Sequence, residues 1–247
     1  SLYPDAALQG IREILGLQKD DMISGEKIEI VKMGTTVATN ALLERKGDRT
    51  ILVTTKGFGD SLRIGYQNRP DLFARNIILP EMLYEEVLEV EERVSAEGEV
   101  IIPLIETDIE QSLKHILSKG ILSVAVILMH SYRFPEHEQK VGEIASRLGF
   151  TQVSLSHQVS PLIKMVSRGD TTVVDAYLSP ILKRYIASVS ENLNAEKTSN
   201  TKSLEASTQL QFMQSNGGLV ESEYFQGKDS ILSGPAGGVI AAVETNK

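Results

Sequence analysis

Gly34-Thr35-Thr36 stands where an apolar run ending at Met33 gives way to a helical pattern. Unpaired backbone N–H groups and hydroxyls at the beginning of a helix can bind a phosphate or a carboxylate. Asn40, one helical turn beyond Thr36, would present its amide on the same side. The segment is therefore a candidate anion site. The alternative is a structural helix start, in which one threonine caps the helix and Gly34 permits the turn.

Residues 55–73 form a second candidate site, because glycines are interleaved with arginines in a chain that is otherwise acidic. A loop so rich in donors is suited to an anionic small substrate, and its candidate binding residues are Arg63, Arg69 and Asp71. The alternative is a solvated ion network in which each arginine pairs with a nearby aspartate, Asp60 or Asp71. Such networks are common and weakly stabilising. The sequence leaves both interpretations open.

Two glycine-rich segments lie near the end of the chain. Asn216, Gly217 and Gly218 follow a predicted strand. The run Ser233-Gly234-Pro235-Ala236-Gly237-Gly238 opens a predicted helix, in which the proline fits the first position. Residues without large side chains let another helix or a ligand approach the backbone closely. Spacing alone does not decide whether that approach is a static core contact or a hinge between lobes.

Composition excludes several classes of function. The chain has 247 residues and a net charge of -8 at pH 7, so it lacks the basic surface that a nucleic-acid partner requires. It contains no cysteine, which excludes disulfides and thiolate metal sites. No apolar run approaches the ~20 residues of a membrane-spanning helix, and we expect a cytoplasmic protein. Among the four histidines only His130 and His137 have a spacing that could suit a metal, and each histidine is expected to be hydrogen-bonded or to face solvent.

The elements that must position these residues follow from hydrophobic periodicity. Short β-branched runs alternate with amphipathic helical patterns, which predicts an α/β fold with a mixed or parallel sheet. The predicted strands are Ile28–Met33, Thr50–Thr54, Val87–Val94, Ser123–Met129, Gln152–Leu155 and Gln209–Gln214. The predicted helices are Asp5–Leu15, Thr36–Arg45, Asp108–Lys119, Glu136–Leu148, Asp170–Ile186 and Ala236–Glu244. Gly120 and Gly149 are each predicted to end a helix in the left-handed conformation.

Two segments depart from this regular alternation. Residues 192–208 have almost no apolar side chains to bury, so we predict a flexible surface loop inserted within one fold. Asp170 is the predicted N-cap of the helix that follows it. Pro180, inside that helical pattern, predicts two helical segments joined by a kink.

Two long segments, Met33–Gly47 and Leu232–Val239, resemble the hydantoinase A/5-oxoprolinase family. Shorter runs share the resemblance, and these are Arg69–Phe73, Leu83–Val90, Met129–Tyr132, Ser167–Asp170 and Asp175–Leu178. The resemblance extends over nearly all of residues 1–247, apart from the polar loop. It adds Arg168 to the candidate nucleotide- or substrate-binding residues.

The resemblance implies an actin/Hsp70-like, ribonuclease H-like ATPase lobe with a mixed sheet and flanking helices. It also implies that ATP and Mg2+ drive the hydrolysis of 5-oxo-L-proline to L-glutamate. A lactam is an unreactive amide, so phosphoryl transfer to its oxygen would create a leaving group while Mg2+ clamps the phosphates. Residues 233–244 resemble the helix that connects the two lobes in actin-fold proteins.

The family's acidic phosphate-binding motif, of the type Asp-x-Gly-Gly-Thr, does not occur in the sequence, and we expect its two copies before Ser1 and after Lys247. The isolated chain is therefore expected to lack turnover. Expected partners are a cyclic amide substrate, a B-type half or subunit of the same enzyme, and further copies in a homo-oligomer, without nucleic acid or membrane. The alternatives are a hydantoinase or ketone carboxylase subunit, and a non-catalytic actin-fold nucleotide-binding module.

Overall fold

The computed structural model describes residues 6–18, 21, 23, 28–67, 73, 75–193 and 208–246. The chain divides into two compact units. The first unit comprises Ser1–Thr39, Leu182–Phe225 and Asp229–Lys247, and the second comprises Asn40–Ile181 and Gln226–Lys228.

Helices and strands mostly alternate along the chain, as the periodicity predicts. The predicted strand Val87–Val94 is wrong, because two separate strands, Glu86–Val90 and Arg93–Val94, lie there and belong to different sheets. The helices are α1 (Ala6–Ile14), α2 (Val37–Leu43), α3 (Ser61–Ile64), α4 (Glu106–Ser118), α5 (Glu136–Leu148), α6 (Ser156–Val159), α7 (Met165–Leu193) and α8 (Ser233–Thr245). The strands are β1 (Ile30–Met33), β2 (Thr50–Thr55), β3 (Glu86–Val90), β4 (Arg93–Val94), β5 (Val100–Ile102), β6 (Ser123–Ile127), β7 (Gln152–Leu155), β8 (Gln209–Met213) and β9 (Leu219–Glu221). Among the described helices, none is both long and apolar enough to cross a membrane.

The second unit is built on a four-stranded sheet in the order β3-β2-β6-β7, whose neighbouring strands are all parallel. β2, with the sequence TILVTT, is buried at every position, as expected of a central strand that is covered on both faces. Alternate residues of a strand point to opposite faces of the sheet. Accordingly, Ile51 and Val53 pack with α4 and α5, whereas Leu52 packs with α3 and α7.

α7 is one continuous helix, so two predictions about this segment are wrong. The helix begins at Met165, which places Asp170 inside it rather than at its N-cap. Pro180 lies within the helix and does not divide it. Proline cannot donate to the carbonyl four residues earlier, which belongs to Ala176, and the Ser123 hydroxyl donates to that carbonyl at 2.6 Å. A strand of the sheet thus satisfies the carbonyl that the proline leaves unbonded.

Glycines end α4 and α5 as predicted. Gly120 and Gly149 adopt φ angles of 77° and 100°, in the region that favours glycine. The predicted position of Pro235 is wrong by two residues, because α8 begins at Ser233. The proline is still tolerated, since N–H groups in the first turn of a helix have no partner within it.

The first unit contains a three-stranded sheet in the order β1-β8-β9, with β1 parallel and β9 antiparallel to β8. Its core includes the buried Phe212 of β8, whose ring stacks on Phe225 at 5.0 Å between centroids. The sequence does not predict β5, β9, α3 or α6. Each of them has only three or four residues, which is too short to show a hydrophobic periodicity. Of the predicted loop at 192–208, residues 194–207 lie outside the described part of the chain.

Candidate functional site

Two segments that the sequence singled out separately lie side by side in the first unit. The Ser233 hydroxyl, at the beginning of α8, donates to the backbone carbonyl of Thr35 at 2.7 Å. A Cβ atom at Gly234 would lie 2.8 Å from the Cγ2 atom of Thr36, and one at Gly34 would lie 3.5 Å from the carbonyl oxygen of Ser233. The glycines therefore permit close contact between the segment before α2 and the first turn of α8.

Two threonine hydroxyls of this region, those of Thr35 and Thr39, form hydrogen bonds within the fold. The buried Thr35 accepts a hydrogen bond from the backbone N–H of Val37, the first residue of α2, at 3.2 Å. The Thr39 hydroxyl donates to the carbonyl of Ile231. Thr36 and Asn40 are exposed. The structure thus shows a helix-start role for Thr35, whereas anion binding by Gly34, Thr36 and Asn40 stays a prediction.

Asn216, Gly217 and Gly218 form the turn between β8 and β9. The Asn216 side chain accepts from the Gly218 N–H at 2.8 Å, and Gly217 has a φ of 86°. A Cβ atom at Gly217 would lie 3.0 Å from the side chain of Ile240 in α8. This turn therefore contacts the helix that Ser233 begins, and its asparagine oxygen is already bonded within the turn.

The two segments that meet at the beginning of α8 are better suited to bind a phosphate than a metal ion. Gly34–Thr36 and Ser233–Gly238 contribute backbone groups and hydroxyls but no carboxylate. A Cβ atom at Gly238 would meet nothing within 4 Å, and one at Gly237 would meet only Met213, so this side of α8 is open. Within the described ranges, no three His, Asp or Glu side chains are arranged to hold a metal. Mg2+, which prefers oxygen ligands including carboxylates, does not fit these residues.

Arg168 occupies a different place, in the second unit, where it is fully buried. Its guanidinium donates to the Ser156 hydroxyl at 2.9 Å, to the Leu162 carbonyl at 2.7 Å and to the Leu128 carbonyl at 2.9 Å. Burial lowers the pKa of Arg168, and the negative charge of Glu138 raises it. All of these hydrogen bonds are made within the protein, so a ligand-binding role for Arg168 stays a prediction.

Glu138 is the buried acid opposite this arginine. Its carboxylate accepts from the Leu128 N–H at 3.0 Å, from the Ser156 hydroxyl at 2.9 Å, and from both the backbone N–H and the ring Nδ1 of His157, at 2.9 and 2.7 Å. The serine donates to the carboxylate rather than to the imidazole, so the group lacks the nucleophile–base contact of a hydrolytic triad. It joins the carboxyl ends of β6 and β7.

A second carboxylate–histidine pair lies at the same edge of the sheet. His137 bonds through Nδ1 to the buried Glu92 at 2.8 Å, and the Thr55 hydroxyl also donates to Glu92. The same threonine accepts from the Met129 N–H at 2.9 Å. The expectation that histidines are hydrogen-bonded is thereby confirmed for His137 and His157. The burial of Glu92 and Glu138 could not be predicted from the sequence, because glutamate side chains are mostly exposed.

The loop after β2 contains the second set of predicted residues. Its first glycines, Gly57 and Gly59, donate to the Glu89 carboxylate at 3.0 and 2.9 Å, so these donors are engaged internally. Arg63, on α3, is exposed and forms no ion pair with Asp60 within 4.0 Å. Arg69 and Asp71 lie outside the described residues.

A cavity of about 1020 Å³ lies in the second unit, on the face of the sheet that α3 and α7 cover. Both Arg63 and Asp170 line it. The other lining residues are Leu42, Leu43, Arg45, Leu62, Ile64, Gly65, Tyr66, Gln67, Asn76, Ile77, Ile78, Leu79, Pro80, Glu81, Met82, Leu83, Val166, Val173 and Val174. The cavity is therefore mainly apolar, with a small number of charged groups, as is typical of small-molecule sites.

Comparison with solved structures supports the α/β class and its parallel strands. An ATP-dependent caprolactamase from Pseudomonas jessenii matches with a TM-score of 0.74 and 29% identity, over 97% of this chain and 35% of that chain. A nucleotide-free acetone carboxylase matches with a TM-score of 0.68 and 25% identity, over 87% and 31%. The predicted fold class is confirmed.

Sequence comparison agrees along the whole chain. The 5-oxoprolinase of Saccharomyces cerevisiae is 42% identical over 98% of this chain and 21% of its own length. The chain thus spans about a fifth of the length of that relative. Residues 1–149 match the hydantoinase/oxoprolinase N-terminal region, and residues 168–247 match hydantoinase/oxoprolinase. With both of its parts matched and its fold shared, the chain belongs to the hydantoinase/oxoprolinase family.

Proposed function

We propose that this chain is part of the amide-activating half of an ATP-dependent hydrolase that opens 5-oxo-L-proline to L-glutamate. The observation that carries the proposal is the 42% identity to a 5-oxoprolinase over 98% of the chain. The shared fold with a caprolactamase supports a cyclic amide as the class of substrate. The likeness to acetone carboxylase favours, as a second candidate, a carboxylase subunit that activates a carbonyl oxygen.

We propose that phosphate oxygens bind where Gly34–Thr36 contacts the beginning of α8. Gly237 and Gly238 leave that side of α8 open, and α8 adds the partial positive charge of its N-terminus. ATP, when bound, would supply the phosphoryl group that makes the amide oxygen a leaving group. The residues of this chain would orient that group through backbone N–H donors and the Thr36 hydroxyl.

The remainder of the enzyme is also a proposal. Because the chain spans about a fifth of the oxoprolinase to which it is similar, a B-type half or subunit and the ligands of Mg2+ would come from outside these 247 residues. We further propose a homo-oligomeric enzyme that works in the cytoplasm, with residues 233–244 connecting two lobes.

A chimeric enzyme tests the proposed activity. The matching segment of the yeast 5-oxoprolinase is replaced by this chain, and ATP-dependent formation of glutamate from 5-oxoproline is measured. We expect turnover within about tenfold of the parent enzyme, because related side chains would occupy the same fold. Carboxylation of acetone serves as the control reaction and should be undetectable. A chimera that is folded by circular dichroism yet forms no glutamate would refute the proposal.

Threonine variants of the chimera test the proposed phosphate contact. Thr36→Val should lower kcat roughly a hundredfold if the residue donates to developing charge, while the melting temperature changes by only a few degrees. Thr35→Val is the matched control. Its hydroxyl bonds to Val37, so we expect a loss of about 1 kcal/mol of stability with nearly unchanged kcat. If neither variant loses activity beyond its unfolded fraction, the segment has a structural role only.

A further inference from the structure

Arg63 and Asp170 reach the cavity from two different elements that pack directly on each other. Arg63 lies on α3 and Asp170 on α7, and their sequence neighbours are in contact. A Cβ atom at Gly169 would lie 2.5 Å from the Cδ2 atom of Leu62, closer than any packed side chain allows. The missing side chain at Gly169 therefore permits α3 to approach α7, which brings a cation and an anion to one cavity.

Neither of these charges is used by the fold. Among the residues that the structure describes, the Asp170 carboxylate accepts no hydrogen bond and the Arg63 guanidinium forms no ion pair within 4.0 Å. Asp170 is exposed at the cavity, and partial desolvation there raises its pKa. A carboxylate that lines a cavity and has no partner in the fold is available to a ligand.

Tyr84 shows that the charged groups share one environment. Burial raises the pKa of this tyrosine, Asp60 and Asp170 raise it further, and Arg63 lowers it. The phenol therefore senses both the arginine and the aspartate that line the cavity. Both charges therefore act on the same tyrosine, and both line the cavity.

Most of the remaining lining is apolar and part of it belongs to the core, although Arg45, Gln67, Asn76 and Glu81 also line the cavity. Leu62 and Val173 are buried members of the cluster that packs against β2 and β6, and both line the cavity. Val166 adds a further apolar surface from the first turn of α7. A complementary ligand needs an apolar body with an anion and a hydrogen-bond donor at one end.

We propose that this cavity binds a carboxylated cyclic amide, with the carboxylate on Arg63, the amide N–H on Asp170 and the ring methylenes against Leu62 and Val173. The inference rests on the proposed function and deepens it, because it assigns recognition of the substrate to residues distinct from Gly34–Thr36. Arginine is suited to the carboxylate through paired N–H donors, and an ionised aspartate is a strong acceptor for an amide N–H.

The size of the cavity predicts that lactams with rings of several sizes can bind. About 1020 Å³ is at the upper end of ordinary ligand pockets and exceeds the needs of a five-membered lactam. Larger uncharged lactams should therefore also enter. Their binding should use Asp170 and the apolar surface but gain nothing from Arg63.

Equilibrium binding to the 247-residue chain, measured by calorimetry, tests the two contacts separately. The probes are 5-oxoproline, caprolactam, which lacks the carboxylate, and N-methyl-5-oxoproline, which lacks the N–H. Arg63→Met should weaken binding of 5-oxoproline about tenfold or more and leave caprolactam within about twofold. Asp170→Ala should weaken both N–H lactams about tenfold and leave the N-methyl compound within about twofold. Arg147→Met is the control. It removes an exposed arginine of α5 that pairs with Glu110 of α4, and it should not change the affinity for any probe.

Three outcomes would overturn the inference: no binding of 5-oxoproline by the wild-type chain at millimolar concentration, equal losses for all probes, or no loss in either variant. These outcomes are independent of the chimera assay. Turnover by the chimera together with unchanged binding in Arg63→Met would refute this inference and not the proposed function. Discriminating binding by the chain together with an inactive chimera would refute the proposed function and not the cavity as a lactam site.

Discussion

Arg168 and Asp170 are two positions apart on α7, yet their surroundings differ completely. Arg168 is fully buried and donates to the Leu128 carbonyl just after β6 and to the Ser156 hydroxyl just after β7. Asp170 lines the cavity and accepts no hydrogen bond from the described residues. One charge holds strands and helices together, whereas the other has no partner in the fold and remains available to a ligand. Proximity in sequence therefore says little about what a charged residue does.

The largest expected effect comes from removing the charge that the fold uses. Arg168→Met would leave the Ser156 hydroxyl and the Leu128 and Leu162 carbonyls without their guanidinium donor, and would remove a positive charge that acts on Glu138. Each buried acceptor left unsatisfied costs about 1–3 kcal/mol, so we expect a loss of about 3–5 kcal/mol in urea unfolding. Arg147→Met, at the surface, should stay within about 0.5 kcal/mol. A loss of stability below about 1 kcal/mol for Arg168→Met would contradict the conclusion that the fold depends on Arg168 and not on Asp170.

A double mutant sharpens the same point. Glu138→Gln alone should destabilise the protein, because it removes the charge that Arg168 faces. In the Arg168→Met background the same change should cost at least about 1 kcal/mol less, since the uncompensated carboxylate is then neutralised. Purely additive losses in urea unfolding would show that the two side chains do not act as a pair.

Gly169 tests the contact that brings Asp170 towards Arg63. Gly169→Ala would place a methyl group against Leu62, and such overpacking costs about 1–3 kcal/mol. The higher helix propensity of alanine offsets up to about 1 kcal/mol of this cost. We therefore expect a net loss of about 1 kcal/mol of stability and weaker binding of 5-oxoproline. Gly10→Ala on α1 is the control, because its Cβ atom would meet nothing within 4 Å, and it should be neutral or stabilising. Equal responses at both glycines would rule out a special role for Gly169.

The smallest effect has the opposite sign. Asp170→Ala should raise stability, because burial raises the pKa of this carboxyl above 3.8 and disfavours its ionised form in the folded protein. Below pH 3.8 the wild-type side chain is protonated in both states, so variant and wild type should differ least there. The stability advantage of Asp170→Ala over the wild type should grow as pH rises through the pKa that Asp170 has in the folded protein. Above that pKa the advantage should remain constant. Melting temperatures of both proteins from pH 3 to 8 measure it, and an advantage that shrinks with rising pH would contradict the assignment.

Sequence reasoning located most of the sheet but not the cavity. The β-branched run at Thr50–Thr55 identifies a buried strand on its own, and Gly149 marks a helix end by its conformational freedom. The beginning of α7 was missed because Asp170 is a good capping residue, while the burial of Arg168 depends on tertiary contacts. The cavity depends on packing between α3 and α7, which no local pattern encodes. Arg63 was predicted to bind an anion from its loop, and only the structure places Asp170 beside the same cavity.

The pairing of β1 with β8 constrains how the protein can form on the ribosome. Ile30 lies opposite Gln209, so β1 must wait for about 180 further residues before its parallel neighbour exists. At synthesis rates of about 5–20 residues per second, that interval lasts roughly 9–36 s. Every strand of the four-stranded sheet, from Thr50 to Leu155, leaves the ribosome during this time. The nascent chain therefore carries an unpaired strand edge while its interior folds, which makes β1 a natural site for chaperone engagement during translation.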